Sequence, residues 1–351
     1  MSKISRRDFL QTVAASLGAV ALSRFLNACS PAPVNPISSP NVALPTPTHP
    51  SQINTNTVSV PTENSPSQAT GPSTPTQTIP GMPDMVVVRN GEPEALVRTA
   101  LAVLGGMQKF VFSGAKVVVK PNMCVAYHTY EYAATTNPWV VGTLVKMCFE
   151  AGAASVKVFD YPFGGLAQEA YSKSGIKDQV EANGGQMVAM PGFKYVSAQI
   201  PNGVDLKRTD VFGDVLTADV IINVPIAKHH SAAGLTLGMK NLMGVVRDRD
   251  SFHFNLGQRI ADLNTLLKPK LTVIDAVRIL KNNGPSGGDL NDVKKLDTII
   301  ASADIVAADS FAATLFGKQP DDIAYIKLAA GMGLGRSNLK DLLIKELVAG
   351  A

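Results

Sequence analysis

The stretch from Lys228 to Asn241 gathers Lys228, His229, His230, Thr236, Lys240 and Asn241, with glycines at Gly234, Gly238 and, just beyond, Gly244. Lysines supply point charges, glycines let the backbone come close to a ligand, and the N-terminus of an ensuing helix favours an anion. A carboxylate or a phosphate suits such a set. The imidazoles admit two further chemistries: a neutral ring nitrogen ligates a metal, and a ring titrating near neutrality serves as general acid and base. The plain alternative is a solvated Lys-His-His loop, in which adjacent histidines cannot face one point without a bend in the backbone. His230 and Lys240 are the catalytic candidates, and Lys228, Thr236 and Asn241 are ligand-binding candidates.

Other polar residues stand at the ends of apolar runs. Lys120-Pro121-Asn122 follows one such run, Asp160 ends the next, Asn223 precedes the lysine-histidine segment, and Asp275 closes another. In open parallel sheets ligands bind outside the carboxyl ends of the strands, so Lys120, Asn122 and Asn223 join the ligand-binding candidates. His253 is a third imidazole. A lone histidine is more often structural or exposed, yet with Asp262 it could close the same site, which adds His253 to the ligand-binding candidates and makes His230, His253 and Asp262 the candidates for a metal.

Positioning these groups requires strands alternating with helices, and the pattern supplies them. Valine- and isoleucine-rich runs predict strands at Met85–Arg89, Lys116–Lys120, Ser155–Asp160, Asp219–Val224, Lys270–Ala276 and Thr298–Ala301. Helical spacing predicts helices at Pro93–Lys109, Pro138–Ala151 with Asn137 as cap, Gln258–Leu267, Ile305–Phe316, Ile323–Gly331 and a last amphipathic one at Leu339–Val348. Near-continuous apolar strands such as Val117-Val118-Val119 need cover on both faces. The fold class is therefore α/β, with a mostly parallel central sheet, helices on both faces, and room for a small antiparallel insertion between Gly184 and Phe212.

Several motifs are weaker. Gly284-Pro285-Ser286-Gly287-Gly288 could cradle a phosphate but reads more readily as a turn. Asp304 suits a helix start, which leaves Asp309 as the better functional candidate of the two. Gly331-Met332-Gly333-Leu334-Gly335 follows a helix, not a strand, and so fails the context of a dinucleotide loop. The loop bearing Tyr127, His128, Tyr130 and Tyr132 could wall a pocket. Nucleophile-elbow, Walker and His-Glu-x-x-His motifs are absent.

The first residues form an address. Ser5-Arg6-Arg7-Asp8-Phe9-Leu10, a mild apolar stretch and Leu26-Asn27-Ala28-Cys29 resemble a twin-arginine export signal ending in a lipobox, with Arg6 and Arg7 read by the export machinery and Cys29 acylated. Residues 9–23 are too short and too interrupted by Gln11, Thr12, Ser16 and Gly18 for a bilayer span. Residues 29–83 follow as a stalk: the run from Ser30 to Pro83 holds 13 of the 23 prolines and Glu63 as its one charge, a composition that cannot build a core. Residues 84–351 then read as a single domain. The expected location is outside the cytoplasm, anchored to the membrane by lipid. The leader's Lys3, Arg6, Arg7 and Arg24 against Asp8 account for most of the formal charge of +4, leaving +1 for the remainder, so nothing suggests a nucleic-acid partner. Cys124 and Cys148 could pair or stand as separate thiols, and the lack of a Cys-x-x-Cys pair argues against iron–sulfur clusters.

Taken in order, Val118-Val119-Lys120-Pro121-Asn122, Thr136-Asn137-Pro138, Glu150-Ala151-Gly152-Ala153, Asp219 to Pro225 with Lys228 and His230, Thr236 to Gly244 with Lys240-Asn241, His253, Ala261-Asp262-Leu263, Asp275-Ala276, Gly284-Pro285 and Asp304 to Asp309 resemble the family known as domain of unknown function 362. The resemblance covers almost all of the folded region. Where the family usually has Lys-Thr-His this chain has Lys228-His229-His230, which matches His230 to the family histidine and makes His229 a local substitution. Many relatives carry a cysteine-rich ferredoxin segment that is missing here, so electron transfer is not implied. Two functional classes meet these features: an exported enzyme acting on a small anionic or metal-bound substrate, or a tethered lipoprotein that binds a small molecule or metal without turnover. Export in the folded state suits a cofactor inserted beforehand, and a metal ion is the one these residues could hold.

Overall fold

A computed structural model describes residues 81–350. Arg6, Arg7, Cys29 and nearly all of the expected stalk lie outside them. The strands are β1 (Met85–Arg89), β2 (Lys116–Pro121), β3 (Ser155–Val158), β4 (Gln186–Met187), β5 (Tyr195–Gln199), β6 (Arg208–Phe212), β7 (Val220–Val224), β8 (Ile226–His230), β9 (Gly234–Thr236), β10 (Leu271–Leu280), β11 (Val293–Ser302) and β12 (Ile344–Val348).

The main sheet runs β12-β1-β11-β10-β7-β2-β3-β4, with β8 added beside β10 and β9 beside β8. Pairing is parallel from β10 through β7, β2 and β3 to β4 and again between β1 and β12, while β11 runs antiparallel to both its neighbours. Alternate residues of each strand enter opposite cores. Val117, Val119, Val220 and Ile222 pack beneath the helices Pro93–Val103 and Pro138–Glu150. Val118, Ile274 and Ile300 pack on the other face with the helices Leu256–Leu266, Ile305–Thr314 and Ala324–Gly331. The expected insertion is a separate antiparallel pair, β5 with β6. None of the described helices is long and apolar enough to cross a membrane.

Three local expectations give way. The Pro93 helix stops at Val103, because Gly105 and Gly106 take positive φ and only a short 3-10 turn, Met107–Lys109, follows. The final segment is not a helix: the Leu343 N–H donates to the Asp84 carboxylate, Arg336 pairs with the same carboxylate at 2.7 Å, and Ile344–Val348 aligns beside β1. Met85 to Val88 of β1 are fully buried, so their backbone groups need a protein partner, and the more exposed β12 supplies it and takes the sheet edge, a gain that outweighs the helical spacing of Leu339–Val348. The third concerns Lys228-His229-His230, which is a strand where a loop was expected.

Candidate functional site

Pro225 bends the path between β7 and β8. Below the bend β7 pairs with the first half of β10, and above it β8 pairs with the second half. A strand's side chains alternate between faces, so Lys228 and His230 share one face and His229 takes the other. Thr236, directly opposite Lys228 in the β8–β9 hairpin, shares the face of Lys228. His229 turns to the Gly284 loop, where its Nδ1 accepts the Gly284 N–H at 3.2 Å.

Lys228 is 1 % exposed and donates to three neutral oxygens: Asn122 Oδ1 at 3.0 Å, the Ala134 carbonyl at 2.6 Å and the Pro285 carbonyl at 2.9 Å. It has no carboxylate partner among the described residues. The Gly284 string thus presents a carbonyl to a lysine, the opposite of an amide cradle for phosphate. Thr236, 3 % exposed, has a hydroxyl with no hydrogen-bond partner. A buried polar atom left so is costly, and this one lies on the wall of a cavity.

His230 is held in one tautomer. The N–H groups of Ala232 and Ala233 both point at Nδ1, at 3.2 and 3.3 Å, so Nδ1 presents its lone pair to the backbone and the neutral ring carries its hydrogen on Nε2. Burial first, then the nearby charges of Lys240 and Lys228, push its pKa down to about 3. At neutral pH the ring is a fixed hydrogen-bond donor. It has no free lone pair to accept a proton, so the expected acid and base role does not fit.

Lys240 lies on the short helix Gly238–Asn241. Asp309, fully buried, seats that helix by accepting the N–H groups of Gly238 at 2.6 Å and Met239 at 2.9 Å. Desolvation drives the Asp309 carboxyl up to about 7 against the pull of these two bonds. A side chain on Gly238 would strike the carboxylate, which is why glycine stands there. Lys240 itself is half-buried and has no ion pair or hydrogen-bond partner among the described residues. Burial, with Lys228 and Arg249 adding to it and Cys124 opposing it, lowers its pKa to about 7.

The remaining expected residues form the floor. Lys120 is fully buried and paired with Asp160 at 2.6 Å; it also donates to Asn241 Oδ1 and to the Pro121 carbonyl. Its charge is therefore spent inside the protein, not on a ligand. Asn241 donates to Asn223 Oδ1 and the Lys120 carbonyl and accepts from Asn122, while Asn223 donates to the Gly238 carbonyl. These amides fix the strand ends to one another and to the Lys240 helix. A Cβ on Gly244 would overlap the Lys120–Asp160 pair.

Above this floor opens a cavity of about 410 Å³, whose wall includes Asn122, Lys228, His230, Thr236, Lys240 and His253. Cys124 and Arg249 also line it. With Asp160 neutralised by Lys120, Lys228 and Arg249 stand against Asp250, an excess of positive charge in a partly desolvated space, and Lys240 adds to it when protonated. The fold leads the chain's polar residues to the carboxyl ends of β2, β3 and β7, where a parallel sheet holds its ligands.

The family described as domain of unknown function (DUF362) matches residues 117–314 of this chain. The chain belongs to that family. All the side chains lining the cavity fall within the matched stretch of DUF362. The chain is also similar to the thylakoid-associated protein sll1697 of Synechocystis sp., at 26 % identity over 249 residues, 68 % of this chain and 75 % of that protein. Among solved structures it resembles the lactate racemase apoprotein of Thermoanaerobacterium thermosaccharolyticum at 12 % identity and TM-score 0.43, covering 66 % of this chain and 56 % of that one. A Thermotoga maritima protein gives 14 % identity and TM-score 0.40, over 65 % of this chain and 60 % of that one. The chain spans less than two thirds of either solved structure.

Some expected residues of this DUF362 chain stand elsewhere. Asp262 accepts the N–H groups of Val204, Asp205 and Leu206 and the Gln258 amide, so it pins the turn before β6 and is no ligand. No group of three or more metal-ligating side chains occurs among the described residues. His230 lacks a free lone pair, and the neighbouring lysines repel a cation, so the residues present do not fit a metal. His128 stacks on Tyr132 and meets Tyr127 edge-on, and Tyr130 packs against Trp139, all off the cavity wall. Cys124 and Cys148 are both free and buried. Arg249 escaped the sequence reading because Arg247-Asp248-Arg249-Asp250 has the alternating charge of a solvated surface.

Proposed function

We propose that this DUF362 protein is an enzyme acting on a small anion held in the cavity. In this reading the Thr236 hydroxyl receives the anionic end under the field of Lys228, the Nε2–H of His230 donates to a ligand oxygen, and Lys240 is the group that changes its bonding during the reaction. The observation that carries it is a lysine without a partner, seated beside a second lysine without a counter-ion and an imidazole fixed as a donor. Groups of one sign converging in a low-dielectric pocket are costly to fold and are characteristic of functional sites.

Calorimetric titration with phosphate, acetate and pyruvate tests it. His230→Asn keeps an acceptor for the Ala232 and Ala233 N–H groups but removes the ring donor, and Lys240→Met removes the free amine. Both variants should bind at least tenfold more weakly with the fold intact by circular dichroism; binding equal to the unaltered chain refutes the assignment. Incubation of the protein with metabolite pools then separates turnover from stoichiometric retention.

We further propose export through Arg6 and Arg7 and anchoring through an acylated Cys29, supported by the order of the twin-arginine run, the apolar stretch and Leu26-Asn27-Ala28-Cys29. The related Synechocystis protein is named for association with thylakoids. Labelled fatty acid should enter the chain in cells and fail to enter Cys29→Ser; equal labelling of the two chains would refute the anchor.

A further inference from the structure

We propose that Lys240 is a covalent nucleophile, its Nζ adding to the carbonyl carbon of a small oxo-acid in this cavity to give an imine and water. The proposal rests on the anion-pocket reading and adds the substrate class to it.

Three features of the cavity single out Lys240. Lys120 is ion-paired with Asp160 and Lys228 is engaged by three oxygens, so both amines have their hydrogens committed. Lys240 has no such partner among the described residues, which leaves its nitrogen free to approach a ligand. Second, no carboxylate is placed to hold Lys240 as an ammonium. Asp160 is taken by Lys120, Asp250 is exposed, and the groups that act electrostatically on Lys240 are Lys228, Arg249 and Cys124. Cationic neighbours and desolvation favour the neutral amine, and only the neutral amine adds to a carbonyl. Third, the two functions of an oxo-acid have separate receivers. The unpartnered Thr236 hydroxyl suits the carboxylate, beside a Lys228 charge that no counter-ion neutralises, and the His230 Nε2–H suits the carbonyl oxygen, where a fixed donor stabilises the charge that develops on addition. The cavity's size restricts the ligand to a small molecule.

The step balances without an oxidant or a further reactant. The nitrogen lone pair forms the C–N bond and the carbonyl π pair moves to oxygen. The two hydrogens of the neutral amine leave on that oxygen as water when the C–O bond breaks. His230 donates a hydrogen bond throughout and loses no proton.

The test uses the full chain, pyruvate as probe and cyanoborohydride to trap the imine, followed by peptide mass mapping. One reduced adduct at Lys240 is expected, suppressed by excess propionate, which has the carboxylate and no carbonyl. Lys240→Arg, which keeps a cation but cannot condense, should still bind pyruvate by calorimetry and form no adduct at this position. Pyruvate bound without modification of Lys240, or modification shared equally among surface lysines, overturns the covalent step. Failure of pyruvate and propionate to bind at all overturns the pocket reading, and the covalent step with it.

Discussion

Replacing Lys240 by methionine should make the protein more stable, an outcome opposite to that for most buried residues. Methionine matches the length of the apolar stem and carries no charge. In the unfolded chain a lysine titrates near 10.5, and in the cavity burial and like charges bring Lys240 to about 7. At 1.36 kcal/mol per unit the difference bounds the cost of seating the ammonium at about 5 kcal/mol, and relaxation with water in the cavity reduces it to about 2 kcal/mol. The sign follows from proton linkage. Between about pH 7 and 10.5 the unfolded chain binds more protons than the native one, so stability rises with pH; below about pH 7 both states hold the proton and the penalty is constant and full. Lys240→Met should therefore gain about 2 kcal/mol at pH 6 and lose most of that advantage above pH 10. Urea unfolding of the full chain and the variant at both pH values measures it, the common contributions cancelling in the difference. A variant less stable at pH 6, or a difference that does not change with pH, would refute the placement of Lys240 in a cationic, desolvated site.

Two further outcomes follow from the same geometry. His230 prefers its neutral form in the fold, so stability should fall as pH drops from about 6.5 toward 3, by about 1.4 kcal/mol per unit from this group; His230→Asn should lack that component, and identical acid slopes in urea titrations would contradict the burial of a neutral ring beside the two lysines. Asp160→Asn leaves Lys120 buried without its counter-ion and should cost about 3–5 kcal/mol, with Gly244→Ala shifting the urea midpoint in the same direction; a loss below about 1 kcal/mol would mean that the pair does not hold the floor of the site.

Much of the fold was legible because β-branched runs such as Val117-Val118-Val119 and Val220-Ile221-Ile222 have few alternatives to buried strands. The exceptions arose where a distant partner decides. Leu339–Val348 has helical spacing, but β1 needs a neighbour, and the parallel register of Met85 with Ile344 prevails over local preference. Lys228-His229-His230 looked like a loop since Pro225 and three polar residues interrupt the apolar run. The period of two that puts Lys228 and His230 on one face was present in the sequence, but only pairing with β10 and β9 makes it a strand. The site's residue types were visible, and their division of labour was not. Lys120 and Lys228 look alike in sequence, yet Asp160, forty residues from Lys120, neutralises one and leaves the other without a counter-ion. Nothing local to His230 announces that Ala232 and Ala233 occupy its Nδ1.

Anomalous diffraction from crystals of the protein soaked in bromide asks most directly whether the cavity attracts negative charge. A bromide within hydrogen-bond reach of Lys240 Nζ and His230 Nε2, lost in Lys240→Met, is the predicted result. Bromides confined to the outer surface, with none inside the cavity, would contradict an anion site.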